Sequence, residues 1–475
     1  MVVSYREPPL MSRLFYAWLL LPCLTLAVLP RACMAEEAGG AESEAVQMVL
    51  EFLRDSDREI RGLALEQVRS ELKGEAFTRR FAEELPRLAP EAQIGLLGAL
   101  ANRGDKAARP AILSLLASDK TPDVRAAAIR ALAFLGEADD ASVILPSLRS
   151  ESEAERTAAG FALTRLPGDQ VGNMILSAVD TAAADQIPEL IGLLVERRAS
   201  NAVPRLLTLA AGQDAVRRTA ALSALGELAG PEHLPSMLRI VLGLTGRDRE
   251  TAEKAVMFLC ARIPEPSRDA ALSQAVDEFS ESNQRVLLPT LGRVGEKTAL
   301  AKIEAALRSQ DSAWHEAGIR AIANWPDGSV ADRLIDLAER DPHAAHRTTC
   351  LRALIRVAPL AADRDNAGKL ELVKTAMKLC TRDEERLLIL QRAQAIRDVA
   401  TLRYLVTFLD QPAYAQEACG SIVELAHHRE LREANKSEFD KALDAVIRIS
   451  KDPVVVDRAN RYKKGQTWVR PKASP

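Results

Sequence analysis

Apolar side chains recur along most of the chain at the spacing of one helix face. Val124, Ala128, Leu132 and Leu135 are separated by four, four and three positions, which places them on one side of an α-helix. Positions equivalent to Leu132 occur every 29–39 residues, at Val68, Leu100, Leu163, Leu194, Leu225, Leu259, Leu291, Ile322, Leu354, Ala393 and Ile422. We call these twelve positions, including Leu132, the ladder. This period predicts tandem structural repeats.

A second, shorter amphipathic segment lies between consecutive ladder positions. Examples are residues 110–116, 143–148, 203–209, 300–307 and 330–337. Each repeat is therefore predicted to be a helix–turn–helix unit, which is too small to bury its own apolar face and must stack on its neighbours. We predict an all-α fold, a right-handed α-solenoid of about twelve such repeats.

One repeat carries a recognisable motif. Asp123-Val124-Arg125 is followed by Ala131-Leu132 and Leu135-Gly136. This pattern resembles the compact HEAT repeats of bacterial proteins, the kind first known from phycobilisome lyases. Glu155-Arg156 with Ala162-Leu163, and Arg347 with Ala353-Leu354, repeat parts of it. The resemblance covers roughly residues 45–460, and it implies a fold and not an activity.

The ends of the array and one internal step depart from the period. The 39-residue step before Ala393 contains residues 359–366, which predict a longer loop or an extra turn. A last, polar helix is predicted to start at Asp452-Pro453 and to cap the array, since a solenoid end must face water. The predicted organisation is a signal peptide at 1–35, a solenoid at 36–464 and a flexible tail at 465–475.

The first 35 residues have the pattern of a secretory signal. Arg6 and Arg13 flank a continuous apolar stretch over residues 14–30, and small residues precede the acidic pair Glu36-Glu37. The stretch is short for a membrane span and contains Pro22. We therefore expect an exported protein, periplasmic or extracellular, that is cleaved near Ala35 and keeps no permanent membrane span.

Composition and charge narrow the function further. Hydrophobic residues make up 47% of the chain and aromatic residues only 4%, which suits closely packed helices better than sheets. The net charge is −3, and removal of residues 1–35 takes away a charge of +2 and leaves −5. A nucleic-acid partner is not expected, because such proteins carry a basic excess. Cys260, Cys350, Cys380 and Cys419 lie in separate repeats and are predicted to be buried thiols.

The candidates for chemistry are few. His343, His346 and Cys350 share one helix face, but three ligands on one rigid helix rarely converge on one metal ion. Deoxyhypusine hydroxylase, a HEAT-repeat enzyme, holds iron with several His-Glu dipeptides, whereas this chain has one, His315-Glu316. Residues 292–298 lack the spacing of a phosphate loop. We predict no catalytic, cofactor-binding or metal-binding residues, and no cofactor.

Three features allow both a functional and a structural interpretation. Five arginines stand seven positions before a ladder residue, namely Arg61, Arg125, Arg156, Arg347 and Arg386. They could form an anion-binding stripe, but pairing with acids such as Asp123 and Glu155 is favoured. Trp314 and Trp325 are interpreted as core residues. The basic cluster of the C-terminal tail could dock on an acidic surface, but a solvated, disordered end is favoured; it comprises Arg458, Arg461, Lys463, Lys464, Arg470 and Lys472, with Tyr462 and Trp468.

These patterns favour an exported, non-catalytic scaffold that binds a protein partner, because a solenoid presents side chains in rows on a long surface. The alternative is an accessory or weakly catalytic subunit of an exported, carbohydrate-active enzyme. A cluster of polar residues on one inner face would favour the alternative.

The export hypothesis predicts that the mature protein begins at Glu36. N-terminal sequencing of protein purified from its native cells should read Glu-Glu-Ala-Gly. Retention of residues 1–35 in the purified protein would contradict it.

Overall fold

The computed structural model describes residues 44–119, 121–265 and 267–468. The predicted signal at 1–35 and residues 469–475 of the predicted tail lie outside this part of the chain. Within it, every regular element is a helix, and no residue belongs to a β-strand. None of the described helices has the length and apolar character needed to cross a bilayer.

The chain divides into two compact units, Met1–Leu135 and Gly136–Pro475. In unit 1 the helices are α1 (44–54), α2 (Arg58–Ser70), α3 (Glu75–Ala82), α4 (Pro90–Arg103), α5 (Arg109–Ser118) and α6 (Pro122–Leu135). In unit 2 they are α7 (Ala141–Ile144), α8 (Glu153–Arg165), α9 (Gln170–Thr181), α10 (Ile187–Glu196), α11 (Val203–Ala210), α12 (Ala215–Leu228), α13 (Leu234–Gly243), α14 (Gly246–Ala261), α15 (Ser267–Asp277), α16 (Glu281–Val294), α17 (Lys297–Leu307), α18 (Ser312–Ala323), α19 (Ala331–Arg340), α20 (Ala344–Val357), α21 (Asn366–Leu379), α22 (Asp383–Ala393), α23 (Val399–Val406), α24 (Ala415–Ala426), α25 (Arg429–Ala434), α26 (Lys436–Ile449) and α27 (Pro453–Lys463). Short 3-10 turns span Leu85–Arg87, Lys106–Ala108, Ala138–Asp140, Leu145–Arg149, Ser200–Ala202, Pro231–His233, Gly328–Val330 and Ala358–Leu360.

The predicted ladder is confirmed. Its twelve residues lie one each on the even-numbered helices α2 to α24, which we call the ladder helices. Each ladder residue is at most 2% exposed, including the small Ala393. The sequence period therefore marks the apolar core of every repeat.

The helices of each unit form two layers. In unit 1, α2 packs on α4 and α4 on α6, and in unit 2 consecutive ladder helices from α8 to α24 pack in the same way. The helices between them form the second layer, and α11, α17 and α19, for example, each pack on the ladder helix that follows. The fold is thus an all-α solenoid, as predicted.

Polar residues fix where the helices begin and end. Asp214 and Asp311 cap α12 and α18 by accepting hydrogen bonds from the first free backbone N–H groups. Gly104 ends α4 and Gly295 ends α16 at φ values of 74° and 80°, a left-handed conformation that suits glycine. Asp452 caps α27, so the last helix begins where the sequence predicted.

Two predicted segments differ in detail from the structure. Residues 143–148 are not one helix, because Pro146 has no N–H to continue α7, and the chain changes there to the 3-10 turn Leu145–Arg149. The long step before Ala393 does contain a loop, but part of its length lies in α21, which has 14 residues against 10 for α19.

The four cysteines are free and buried, as predicted. Burial raises the pKa of the Cys260 and Cys350 thiols to about 12 and that of Cys380 and Cys419 to about 11. At neutral pH they are protonated packing residues, since the thiolate is the reactive form.

A set of four arginines that the sequence analysis missed ties four of the repeats to the ones before them. Arg103, Arg197, Arg262 and Arg356, which we call the clamp arginines, follow a ladder residue by two or three positions. Each donates to carbonyl oxygens near the C-terminus of the preceding ladder helix. Those carbonyls lack partners within their own helix and carry the negative end of its dipole.

Arg103 shows how one clamp works. Its guanidinium nitrogens lie 2.8 Å from the carbonyl oxygens of Val68 and Glu71 and also contact that of Leu72, while Nε lies 2.7 Å from Thr78 Oγ1. Burial lowers the pKa of Arg103 below the usual arginine value. The planar fork of arginine serves several acceptors at once, which lysine cannot do.

We therefore expect Arg103→Lys to lower the free energy of unfolding by about 1–3 kcal/mol, because buried carbonyls lose their donors while the charge is kept. Urea unfolding followed by circular dichroism measures the change. Arg69→Lys is the matched control, since Arg69 is exposed and bonds only Glu66 at 3.1 Å; its effect should stay within about 0.5 kcal/mol. Equal effects of the two substitutions would contradict the clamp.

A second prediction concerns the stability of the apolar core. Leu225→Ala removes a fully buried side chain from α12 and should cost about 2–5 kcal/mol. Ser223→Ala, on the exposed side of the same helix, should cost less than about 0.5 kcal/mol. Hydrogen exchange should show loss of protection in α10, α12 and α14 before α24 and α26, because each repeat contacts mainly its neighbours. Equal loss throughout unit 2 would show global cooperativity instead.

Candidate protein-binding face

Each ladder helix exposes a face opposite its own core. Large apolar side chains at least 36% exposed lie on these faces in both units, in unit 1 at Leu63, Ile94 and Phe134 and in unit 2 at Phe161, Val216, Phe258 and Leu388. Each lies within about 80° of the direction opposite its ladder residue, taking 3.6 residues per turn. Single exposed apolar residues are common on proteins, so a binding site requires a cavity beside one of them.

Such a cavity lies between α12 and α14 in unit 2. It is a groove of about 510 Å³ whose floor includes Leu222 and Ala255 and whose side is formed by Phe258. Phe258 is 55% exposed. Gly226 lies where the two helices are in contact, since a Cβ atom there would lie 3.4 Å from both Ala255 Cα and Phe258 Cβ.

The rim of the groove is polar and of mixed charge. Thr219, Glu227, Thr251 and Lys254 line it, with Glu227 on α12 and Lys254 on α14 both exposed. Arg262 also lines the groove, but its guanidinium is held by the carbonyls of Gly226 and Ala229. An apolar floor with a mixed polar rim matches the anatomy of protein interfaces.

The predicted arginine row serves the backbone. Arg61, Arg156 and Arg347 each donate to two carbonyl oxygens, five and six residues earlier, in the turn before their helix. Arg125 donates to Leu116 O at 2.6 Å, and Arg386 donates to Cys380 O at 3.0 Å. Arg386 also pairs with Asp383 at 2.7 Å, and Arg61 lies 3.5 Å from Glu91. The pairing with acids that the sequence favoured is therefore present in these two repeats, and the turn carbonyls are additional acceptors that the sequence analysis did not predict.

The same position in other repeats is filled by other donors, which the sequence analysis did not group together. Gln93 donates to Leu85 O, Arg218 to Gly212 O and Gln284 to Phe279 O, at 2.9 Å in each case. His315 Nδ1 lies 2.9 Å from Leu307 O. We call this position, seven residues before the ladder, the donor slot.

Some donor-slot side chains also reach an acid in the next repeat. Arg218 contacts Asp248, and Arg61 lies 3.5 Å from Glu91. In the same manner, His315 Nε2 lies 2.8 Å from Asp341 Oδ2. Where the slot holds arginine, it thus joins two repeats through a cation and a carboxylate.

The histidines and the cysteine considered as metal ligands do not come together as a set. Cys350 is fully buried in the core, whereas His343 has an exposed side chain. His346 instead meets Asp341, with Nδ1 lying 3.1 Å from Oδ1. His315, Asp341 and His346 form a cluster whose nearest ligand atoms all lie within 4.8 Å of one another.

The two tryptophans differ in how deeply they are buried. Trp325 is 3% exposed and donates from Nε1 to Ser329 Oγ at 2.9 Å, so its predicted core role is confirmed. Trp314 is half-buried and lines a second groove, of about 510 Å³, together with Leu288 and Leu291.

The glycines of residues 292–298 have structural roles, in agreement with the rejection of a phosphate loop. A Cβ atom at Gly292 would lie 1.9 Å from the carbonyl oxygen of Ala321, so this glycine lets α16 and α18 touch. Gly295 ends α16.

The C-terminal basic cluster is more ordered than the sequence suggested. Tyr462 is 2% exposed, and its hydroxyl lies 2.8 Å from His427 Nδ1. Arg458 pairs with Glu424 and stacks on Trp468, with Cζ 4.7 Å from the ring centroid. This packing corrects the interpretation of a solvated end for Arg458 and Tyr462, because α27 covers the last repeat, whereas Arg461 and Lys464 are exposed as predicted. Arg470 and Lys472 lie outside the described residues.

The solved structures similar to this chain include longer and shorter chains. Kap121p bound to Pho4p is 13% identical, with a TM-score of 0.42, and the match covers 88% of this chain and 55% of that chain. Yeast importin-beta, Kap95p, is 11% identical, with a TM-score of 0.36 and coverages of 89% and 68%. Human deoxyhypusine hydroxylase in complex with glycerol is 17% identical, with a TM-score of 0.24 and coverages of 61% and 99%. The chain spans about half the length of Kap121p, and these low TM-scores carry no argument about function.

No curated protein matches the chain. Residues 78–164 match the family described as HEAT repeats. This range contains the ladder residues Leu100, Leu132 and Leu163, and the same buried ladder continues through α24. The family match therefore supports a HEAT-repeat protein.

Proposed function

We propose that the protein is an exported scaffold that binds a polypeptide partner on the exposed face of its ladder helices. The groove between α12 and α14 is the observation that carries this proposal, because it pairs a half-exposed aromatic side chain, Phe258, with an apolar floor. The export part rests on the signal pattern of residues 1–35.

The size and charge of the groove indicate what kind of partner it can bind. A volume of about 510 Å³ accepts one or two large apolar side chains, and the rim residues Glu227 and Lys254 offer one charge of each sign. A peptide segment with an apolar anchor and polar flanks fits this surface, since buried aromatic contacts dominate protein interfaces. A nucleic acid fits poorly, because the chain has a net charge of −3 and no basic excess.

Selection from a displayed peptide library, using the full chain as bait, tests this proposal. We expect the selected peptides to share a large apolar residue and to compete with one another. Phe258→Asp should weaken the binding of a selected peptide by about 30-fold or more, the cost of losing a central aromatic anchor. Fluorescence anisotropy gives the dissociation constants.

Val454→Asp is the matched control. Val454 is 49% exposed on α27, far along the sequence from the groove, and an acid suits the first turn of a helix. It should leave peptide binding unchanged, and circular dichroism should show the same helix content in both variants. Failure to enrich any peptide, or equal affinity of the Phe258→Asp variant, would refute the proposed site.

A further inference from the structure

The cluster formed by His315, Asp341 and His346 lies outside the proposed groove and has no role in it. His315 lies on α18, His346 on α20, and Asp341 just before α20, so the cluster joins two consecutive repeats. The Asp341 side chain is fully buried, whereas the two imidazoles are 19% and 18% exposed. The cluster is therefore closed on the core side and open toward solvent at its histidines.

The contact of His315 with a backbone carbonyl decides which ring nitrogen carries the hydrogen and which one can bind a metal ion. Leu307 O, 2.9 Å from Nδ1, can only accept, so Nδ1 carries a hydrogen. In the neutral ring, Nε2 then has a lone pair directed at Asp341 Oδ2, 2.8 Å away. Two lone pairs at that distance repel unless a positive charge lies between them.

In other repeats this repulsion does not arise, because the donor slot holds a positively charged arginine. Arg218 carries a permanent charge to Asp248, and Arg61 carries one to Glu91. A neutral histidine at the slot carries no charge of its own. The positive charge beside Asp341 must then come from outside the side chain. A second imidazole, that of His346, lies 3.1 Å from the same carboxylate. Among the described contacts, no repeat with arginine at the donor slot has such a second imidazole.

We propose that His315 Nε2, His346 Nδ1 and one oxygen of Asp341 bind a divalent transition-metal ion of the Zn²⁺ class. Two imidazoles and a carboxylate are a common donor set for such ions. The ligand atoms already lie within 4.8 Å of one another, and ligands of a tetrahedral Zn²⁺ site are about 3.3 Å apart, given bonds of about 2.0–2.1 Å. Small rotamer changes therefore complete the site.

The surroundings of the cluster match those of metal sites. Metal-binding histidines usually donate their other N–H to a carbonyl or carboxylate, as His315 does to Leu307 O. The backbone N–H of His343 donates to Asp341 Oδ1 at 2.9 Å and orients the carboxylate. The fourth position faces solvent, where water or His343 can bind, since His343 Nδ1 lies 3.6 Å from Asp341 Oδ1.

A bound ion in this place links α18 to α20 and strengthens the contact between their repeats. The ion binds the neutral imidazoles and the ionised carboxylate, and it replaces the charge that arginine brings in other repeats. The protein should therefore become more stable as the free metal concentration rises, since only the folded state holds the three ligands together.

Titration of the chelator-treated full chain with Zn²⁺ and with Co²⁺ tests the site. We expect one saturable Zn²⁺ site by calorimetry, a visible d–d absorption band on Co²⁺ binding, and a melting temperature that rises with Zn²⁺. His315→Ala and His346→Ala should each weaken Zn²⁺ binding at least about 100-fold, and Asp341→Asn at least about 10-fold. His428→Ala, which removes a histidine outside the cluster, should bind Zn²⁺ as the unaltered protein does.

Circular dichroism in chelator separates a lost ligand from a lost fold. His315 also bonds a backbone carbonyl, Leu307 O, whereas the bond of His346 goes to Asp341, so His346→Ala keeps the test valid if His315→Ala does not fold. The proposal is overturned if Zn²⁺ does not bind saturably, in which case a protonated His315 supplies the charge. It is also overturned if binding survives both histidine substitutions, or if His428→Ala weakens it equally.

Discussion

A pair of short helices cannot remove its own apolar face from water, and every other feature of this protein follows from that constraint. The ladder residue of each repeat becomes buried only when the helices of the neighbouring repeats cover it. All twelve ladder positions are at most 2% exposed, even where the residue is as small as Ala393. Stacking therefore fixes the register of the helices, and the register in turn decides which side chains remain on the exposed face.

Stacking also brings many helix ends together, where backbone carbonyls would be left without partners. Two sets of donors meet this need. The donor slot serves the turn before nine of the twelve ladder helices, and the clamp arginines serve the end of the preceding ladder helix, as Arg103 does for Val68 and Glu71. A row of arginines in the sequence therefore also serves the backbone at the helix ends.

The fold was predictable from the sequence because a period of about 32 residues carries the information in apolar positions alone. The ladder, the helix pairs, the buried cysteines and the start of the last helix at Asp452-Pro453 were all found in this way. The hydrogen-bond partners of the polar side chains could not be predicted in this way, since these bonds join residues about 25–40 positions apart. Asp341 could be read as a helix start, but its contact with His315, 26 positions earlier, required the stacking of α18 on α20. The groove beside Phe258 likewise depends on the packing of α12 against α14.

The central claim is that neighbouring repeats hold one another in place. A double-mutant cycle measures this directly, with Leu225→Ala and Leu259→Ala in the packed helices α12 and α14, compared with Leu225→Ala and Leu354→Ala in the distant helices α12 and α20. The account predicts an interaction free energy of about 0.5–3 kcal/mol for the adjacent pair and additivity within about 0.5 kcal/mol for the distant pair. Equal coupling in both pairs, or none between the adjacent residues, would contradict it.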